Sequence, residues 1–442
     1  MKDSPKFTDS THSARKADLA TMYAFKGGKK TVAPLLNKWE RETDKGYLAR
    51  RNVCTLFNQT RKTIKTANGM IFRKDVTFTD VDKDFEKRLD NIDGSDTSLN
   101  DFAKDVNDAS LWDGISYILV DTPSAKGQEI KTLKQQYDAG IIPYFTKITA
   151  SQILNRRIED GKLTQITIQE NVTKYVGDFK EESVTQERVL YIGWGALFQD
   201  DELIDMWETG LDYIPIVPVY TNKQGFFDAS PRYLDLAELN LKHFNYQSQL
   251  DKTLFIASNP IPVIFGEIAK EEGKEVSVGV DQAMAFGNKT EGGFEWVEFA
   301  GTSVEKLQEE IAKIENRMLS IGISILTDKE QTATEVAINS AGETSDLASI
   351  ASSLEKSLNI AYSYWCDMMK KTAIGEITVN KDFTGSALTP AEAKMYLDMY
   401  NSGTITLTQF WDEMEKREYL KIDDRDLTKA ELEAGNQDTD LD

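Results

Sequence analysis

An activated nucleophile, a metal ion or a bound phosphate each needs a few residue types at fixed spacing, and this chain is poor in them. It holds two histidines, His12 and His243, and two cysteines, Cys54 and Cys366, in 442 residues. A Ser-His-Asp or Cys-His system would have to use one of those histidines, and neither lies in a supporting motif. His12 falls in a Ser/Thr-rich terminus expected to be mobile, and His243 on a predicted helix. There is no HExxH, no paired CxxC and no histidine cluster to hold zinc. Neither a Walker-type phosphate loop nor a GxGxxG turn is present. Asp80, Asp82 and Asp84 begin like a calcium loop. Phe85 then stands where the loop needs glycine, and Asn91 where it needs glutamate. The two cysteines, far apart in sequence, read as reduced, buried thiols of a cytosolic protein. No cofactor or metal is therefore expected, and an enzyme, though left open by these absences, has no signature here.

Charge narrows the reading further. Lys and Arg number 52 against 73 Asp and Glu, a net −21. Such a balance argues against a protein that grips nucleic acid by neutralising phosphates. Residues 1–75 carry 17 basic and 7 acidic side chains, a net +10, which leaves −31 for the remainder. A basic arm on an acidic body suits an anionic ligand, the acidic face of a neighbouring copy, or a solvated helix surface. The composition, 40% apolar and 28% charged, is that of a soluble globular chain of two to four structural units. No stretch approaches the roughly 20 apolar residues of a membrane helix, and the polar start has no secretory h-region.

Hydrophobic periodicity then supplies the elements. Residues 1–30 are polar and expected to be only partly ordered. Val53, Leu56, Phe57, Thr60, Ile64, Ala67 and Ile71 recur at helical steps and predict one helix from Asp44 to Ile71. Arg50, Arg51, Arg61, Lys62 and Lys65 fall on its other faces. A helix near 98–112 leads through Asp113-Gly114 into the strand Ile115–Val120. Residues 141–220 read as β-rich, with strands at Tyr144–Ile148, Ile153–Ile158, Leu163–Gln169, Val172–Val176 and Arg188–Trp194. An extended Pro-containing run follows over Ile214–Tyr220.

The second half has a particular order. A long helical pattern at 231–256 is followed by a small β module at 261–300 and a second helix at 302–322. The seam of that second helix is Val304, Leu307, Ile311, Ile314, Met318 and Ile321. A polar loop, Ser324–Gln331, precedes Thr332-Ala333-Thr334-Glu335, which opens a very long helix as a capping box. That helix is expected to reach about Lys371, with Gly342 a possible kink. Thr389-Pro390-Ala391-Glu392 and Thr406-Leu407-Thr408-Gln409 start two short helices. Residues 423–442 hold 8 acids against 2 bases and are expected to be disordered.

This order of helix, β module, helix, polar loop and very long helix resembles a tailed-bacteriophage portal protein. Leu234-Asp235-Leu236-Ala237-Glu238-Leu239-Asn240 followed by Asn259-Pro260-Ile261-Pro262-Val263 is similar to the stem-to-clip passage of one portal family. Thr332-Ala333-Thr334-Glu335-Val336 resembles the start of the helix after the tunnel loop. Asn401-Ser402-Gly403-Thr404-Ile405-Thr406 with Phe410-Trp411 resembles that family's C-terminal end. The likeness covers about 210–415 closely and the N-terminal half in layout.

The resemblance implies an α+β portal fold. Its parts are a wing region at 1–230, a first stem helix at 231–260, a clip at 261–301 and a second stem helix at 302–322. A tunnel loop at 323–332, a long wing helix with its following segment at 333–388, a helical crown at 389–422 and the acidic tail at 423–442 complete it. The channel residues would be Ser324, Ile325, Leu326, Thr327, Asp328, Lys329, Glu330 and Gln331, with Glu305, Glu309, Lys313 and Glu315 on the polar face of the stem. The implied function is a ring, usually of twelve subunits, at the unique capsid vertex of the virion, assembled in the host cytoplasm. It would nucleate the procapsid and pass double-stranded DNA during packaging and ejection. The implied partners are further copies of the chain, DNA, the major capsid protein, the terminase large subunit, a head-tail adaptor and a scaffolding protein, with no membrane. Two alternatives stand beside it: another phage head or adaptor protein, and a soluble enzyme using unrecognised carboxylates in a β-rich cleft.

Overall fold

The computed structural model describes residues 4–40, 42–123, 133–257, 261–266, 292–297, 302–321, 333–381, 383 and 390–416. From the N-terminus come helices α1 (Ser10–Gly27), α2 (Lys29–Val32), α3 (Asp44–Val53) and α4 (Gln59–Ile71), strand β1 (Thr77–Thr79), and helices α5 (Lys83–Glu86) and α6 (Leu99–Asp113). Next are β2 (Ile115–Asp121), α7 (Leu133–Asp138), β3 (Tyr144–Thr149), β4 (Ile153–Glu159), β5 (Lys162–Val176) and β6 (Lys180–Tyr191). Strands β7 (Trp194–Gln199), β8 (Glu202–Glu208), β9 (Ile216–Tyr220), β10 (Lys223–Gly225) and β11 (Asp228–Ala229) lead into α8 (Leu234–Ala257). The hairpin β12 (Ile261–Gly266) and β13 (Gly292–Val297) precedes α9 (Thr302–Ile321) and α10 (Ala333–Met368). Strand β14 (Glu376–Thr378) and helices α11 (Pro390–Asn401) and α12 (Leu407–Lys416) follow.

Strand β2 is the centre of the molecule. It lies between β3 and β9, antiparallel to both. Residues Ile115 to Val120 are all buried, which explains an apolar run without alternation. Ile115, Tyr117 and Leu119 pack toward Leu19 of α1 and Ile153, Ile166 and Ile168 of the neighbouring sheet. Ile118 and Val120 pack in a second cluster with Phe102, Phe145, Phe244, Leu354 and Trp365. Each such side chain contributes about 1.5–3 kcal/mol when fully buried. The tight entry to β2 demands Gly114. Its φ is +81°, and a Cβ there would come within 2.1 Å of the Ser230 carbonyl oxygen. On the far edge, β9 tolerates Pro218 because an edge strand needs no further donor. The Pro218 carbonyl instead accepts from Ser357 Oγ of α10 at 2.9 Å.

The second sheet is an antiparallel meander in the order β4-β5-β6-β7-β8. Here the structure redraws the expected strands. Leu163–Gln169 and Val172–Val176 belong to one strand, β5, while Arg188–Trp194 is divided by a turn between β6 and β7.

Two N-terminal expectations are overturned. Residues 10–27 form an ordered helix whose N-cap Asp9 accepts from the His12 amide, and Leu19, Met22 and Phe25 are buried at three-residue steps. His12 is therefore fixed, with Nδ1 2.8 Å from the Ile153 carbonyl oxygen. The single helix expected over 44–71 is two helices. Asn58 caps α4 by accepting from the Arg61 amide, and it donates to the Phe25 carbonyl at 2.8 Å. The break shifts the helical phase, so Thr60, Ile64, Ala67 and Ile71 are buried while Val53 and Phe57 are 70% and 45% exposed.

Helix α10 runs unbroken through Gly342 for 36 residues, about 54 Å at the usual rise. Leu347, Ile350, Ala351, Leu354, Leu358, Ala361 and Trp365 line its buried face. No described helix is long and apolar enough to cross a membrane.

Candidate functional site

The element that stands out is a pair of helices, α8 and α9, joined at their far ends by the β12–β13 hairpin, whose strands pair from Ile261↔Val297 to Gly266↔Gly292. His243 stands 14 residues before the end of α8, and Glu315 stands 13 residues after the start of α9. Their side chains meet at 3.0 Å, so the two helices run antiparallel in register from the hairpin inward. The base of the pair is buried through Leu236, Ala237, Phe244, Ile314 and Met318. Toward the hairpin, Leu254 and Phe255 are exposed and so are Glu305 and Glu309. Side chains at the hairpin end of the pair are thus open to solvent.

A polar stripe along α8, invisible to the apolar periodicity, is gripped by the N-terminal segment. Asn240 accepts from the Thr60 amide and donates to the Phe57 carbonyl. Asn245 accepts from the Asn37 amide, and Asp251 from the Thr55 amide. At the centre, Arg50 donates to Glu42 and, at 2.6 Å, to Ser248 Oγ, with its guanidinium 4.0 Å from the Trp39 ring centroid. Lys252 adds a contact to Glu42 at 3.2 Å. The Arg50 hydrogen bonds hold the Glu42 carboxyl well down, to about 2. Arg50, expected on a free face, is thus buried. Its signal in the sequence is the three-residue spacing of the polar Asn245, Ser248 and Asp251 along α8.

Part of the basic excess of residues 1–75 is spent within the chain. Arg15 pairs with Asp228 at 2.9 Å, Lys26 with Asp108 at 3.3 Å and Lys6 with Asp200 and Asp201 at 3.9 Å. Arg61, Lys62 and Lys65 remain exposed on α4. Asp82 and Asp84 are engaged by lysine: Lys371 contacts both, and Tyr137 donates to Asp84 at 2.8 Å. Those hydrogen bonds, led by that of Lys371, push the Asp84 carboxyl far below the usual range. Among the described residues no group of His, Cys, Asp and Glu could hold a metal ion. Cys54 and Cys366 are both free and buried, and burial pushes both thiols up.

On α9, Glu305, Glu309 and Lys313 are exposed, and Lys313 pairs with Glu310 at 2.6 Å. Glu315 is turned toward α8 by His243. Residues Ser324 to Gln331 lie outside the described residues, as do 267–291 of the β module and the tail from 417.

Residues 233–369 match a family described as a domain of unknown function, DUF4055. The match starts one residue before α8 and ends one residue after α10, so its limits are those of the helix pair, its hairpin and the long helix. None of the curated proteins matches the chain. Among solved structures, the chain is similar to one in the neck of an empty GTA particle computed with C6 symmetry. The identity is 10% and the TM-score 0.43, over 82% of this chain and 90% of that one. A chain in the neck of a native GTA particle computed with C12 symmetry gives 11% and 0.40, over 80% and 88%. A chain in the virion of a native gene transfer agent (GTA) particle gives 10% and 0.44, over 88% and 96%.

Proposed function

We propose that this chain is the subunit of a portal ring in a phage-like particle: a structural protein that performs no chemistry and lets double-stranded DNA pass through its centre. The observation that carries the reading is the antiparallel α8–α9 pair, joined through the β12–β13 strand pair and followed by a 36-residue helix whose last six turns lie in the core. In a portal, such a pair is the stem, the hairpin is part of the clip, and the long helix crosses the wing. The acidic balance of −21 suits a channel that must not hold phosphate tightly.

On this reading the capsid-vertex location, a ring of twelve copies, the docking of the terminase motor and head-tail adaptor, and the nucleation of the procapsid with its scaffolding protein go together. The loop Ser324–Gln331 would line the bore. The test is particle mass with negative-stain imaging of the purified chain. A ring of about twelve copies of a 49.8 kDa subunit weighs about 600 kDa and has a central hole. A monomer across a wide range of concentration and salt overturns the reading.

A further inference from the structure

Strands β5 and β6 are longer than the sheet that holds them. They pair from Gln165↔Tyr191 out to Val176↔Lys180. Strand β4 flanks β5 only as far as Ile168, and β7 flanks β6 only as far as Glu187. From Glu170↔Gln186 outward the ladder is a two-stranded ribbon, six residue steps or about 20 Å long. Lys174 Nζ ties the ribbon to the sheet by donating to Gln199 Oε1 at 2.8 Å. A free ribbon of two strands is marginal in water. This one also ends in apolar side chains: Tyr175 is 79% exposed, Val176 48% and Phe179 100%. Asp178, Glu181 and Glu182 surround them against two bases, Lys174 and Lys180. Aromatic groups at a protruding tip, rimmed by charge, mark a contact surface.

The opposite end of the same strand borders a cleft of about 890 Å³. Gly161 and Lys162, where β5 begins, form one lip, and Ser353, Lys356 and Tyr364 of α10 form the other. Its wall is aromatic, with Tyr213 stacked on Tyr364 at 4.3 Å between centroids and Phe226 46% exposed. Lys162, Lys223 and Lys356 are exposed at it, against a single lining acid, Asp212. Tip and cleft are thus complementary in charge and both aromatic. They cannot meet within one chain, because β5 runs directly from one to the other, 14 residue steps or about 46 Å.

We propose that the Tyr175–Phe179 tip of one copy seats in the Tyr213–Tyr364 cleft of the next. The contact joins two different surfaces, so it is heterologous, the kind that closes into a ring when its rotation permits. The proposal rests on the ring-forming reading above and names one contact that closes the ring.

The test uses the full chain. A Phe179→Cys, Ser353→Cys double variant, mildly oxidised, is expected to give a ladder of covalent oligomers on a non-reducing gel, and each single variant none. A Tyr175→Ser, Phe179→Ser variant, which alters exposed side chains only, is expected to need about tenfold more protein for half-assembly. Rings that assemble equally well in that variant, with no ladder from the double cysteine, overturn the contact and leave the ring standing. A monomeric wild type whose double-cysteine form still gives the ladder keeps the contact and overturns the ring. A monomer with no ladder overturns both.

Discussion

His243 Nε2 lies 3.0 Å from Glu315 Oε1, linking two residues 72 positions apart in sequence and fixing the register of α8 against α9. The imidazole is buried, with its side chain 1% exposed, whereas the Glu315 side chain is 44% exposed. The contact therefore matters more to the histidine than to the glutamate. Glu315→Ala is expected to lower stability by about 1–3 kcal/mol, since a buried polar group loses its partner. Glu315→Gln keeps an acceptor and should cost less. Denaturant unfolding of the three proteins checks this, and equal midpoints would mean that the register is set by the apolar seam alone.

The Arg50–Glu42 pair is a stronger brace. Its side chains are 2% and 1% exposed. Arg50→Met leaves Glu42 with only Lys252 as a charged partner and should cost about 3–5 kcal/mol. Arg50→Met combined with Glu42→Leu should recover much of that loss, because no buried charge is stranded. The folded Glu42 titrates at about 2, below its ordinary value of 4.5. The stability it contributes is thus complete above about pH 4.5 and is lost as pH falls toward 2. Glu42→Gln should abolish that part of the acid dependence, as read by thermal melts between pH 2 and 5.

Asp113 works in the other direction. Burial is the main cause that pushes its carboxyl up to about 6 from 3.8. Its Oδ2 accepts from Tyr23 Oη at 2.8 Å and from the Ala150 amide at 3.2 Å. A raised carboxyl favours the protonated folded state. Its contribution is fully present below about pH 4 and is lost as pH rises through 6, a change of about 3 kcal/mol. Asp113→Asn should flatten the stability profile between pH 4 and 6. A variant that keeps the full slope would assign it to another group.

How much of this was legible in the residues differs by element. The α10 seam was, because a helix buried along one face repeats large apolar residues at every turn. The strands β2, β3 and β9 were too, since short apolar runs between turn residues admit few other readings. Helix α1 was hidden because Arg15 and Lys26 interleave with Leu19, Met22 and Phe25, and a buried arginine looks like a surface one until Asp228 is seen beside it. The break between α3 and α4 was hidden because Leu56 and Phe57 carry the apolar period straight across it. At the helix pair, the apolar side of α9 was visible and the polar grip on α8 was not. Asn240, Ser248 and Arg50 act through partners as many as 198 residues away, and the polar spacing of Asn245, Ser248 and Asp251 names none of those partners.

The α9 polar face bears on sliding. Glu305 and Glu309 are exposed on the part of the helix nearest the hairpin, away from the Ile311, Ile314 and Met318 seam. If this helix lines the bore of a ring, these carboxylates keep phosphates at a distance, and a lysine in their place adds a contact that releases a counterion. A charge reversal repeated around a ring of about twelve changes the bore by about twenty-four charges. Glu309→Lys, or Glu305→Lys, is expected to leave the fold and assembly intact because neither side chain is buried. It should nonetheless raise affinity for duplex DNA, steepen the dependence of binding on salt and slow packaging, most at low ionic strength where screening is weak. The measurement is duplex binding by purified rings against salt concentration, with packaging yield beside it. Intact rings whose DNA affinity is unchanged by both substitutions would place these side chains outside the bore and turn the α9 polar face toward solvent or a neighbouring subunit.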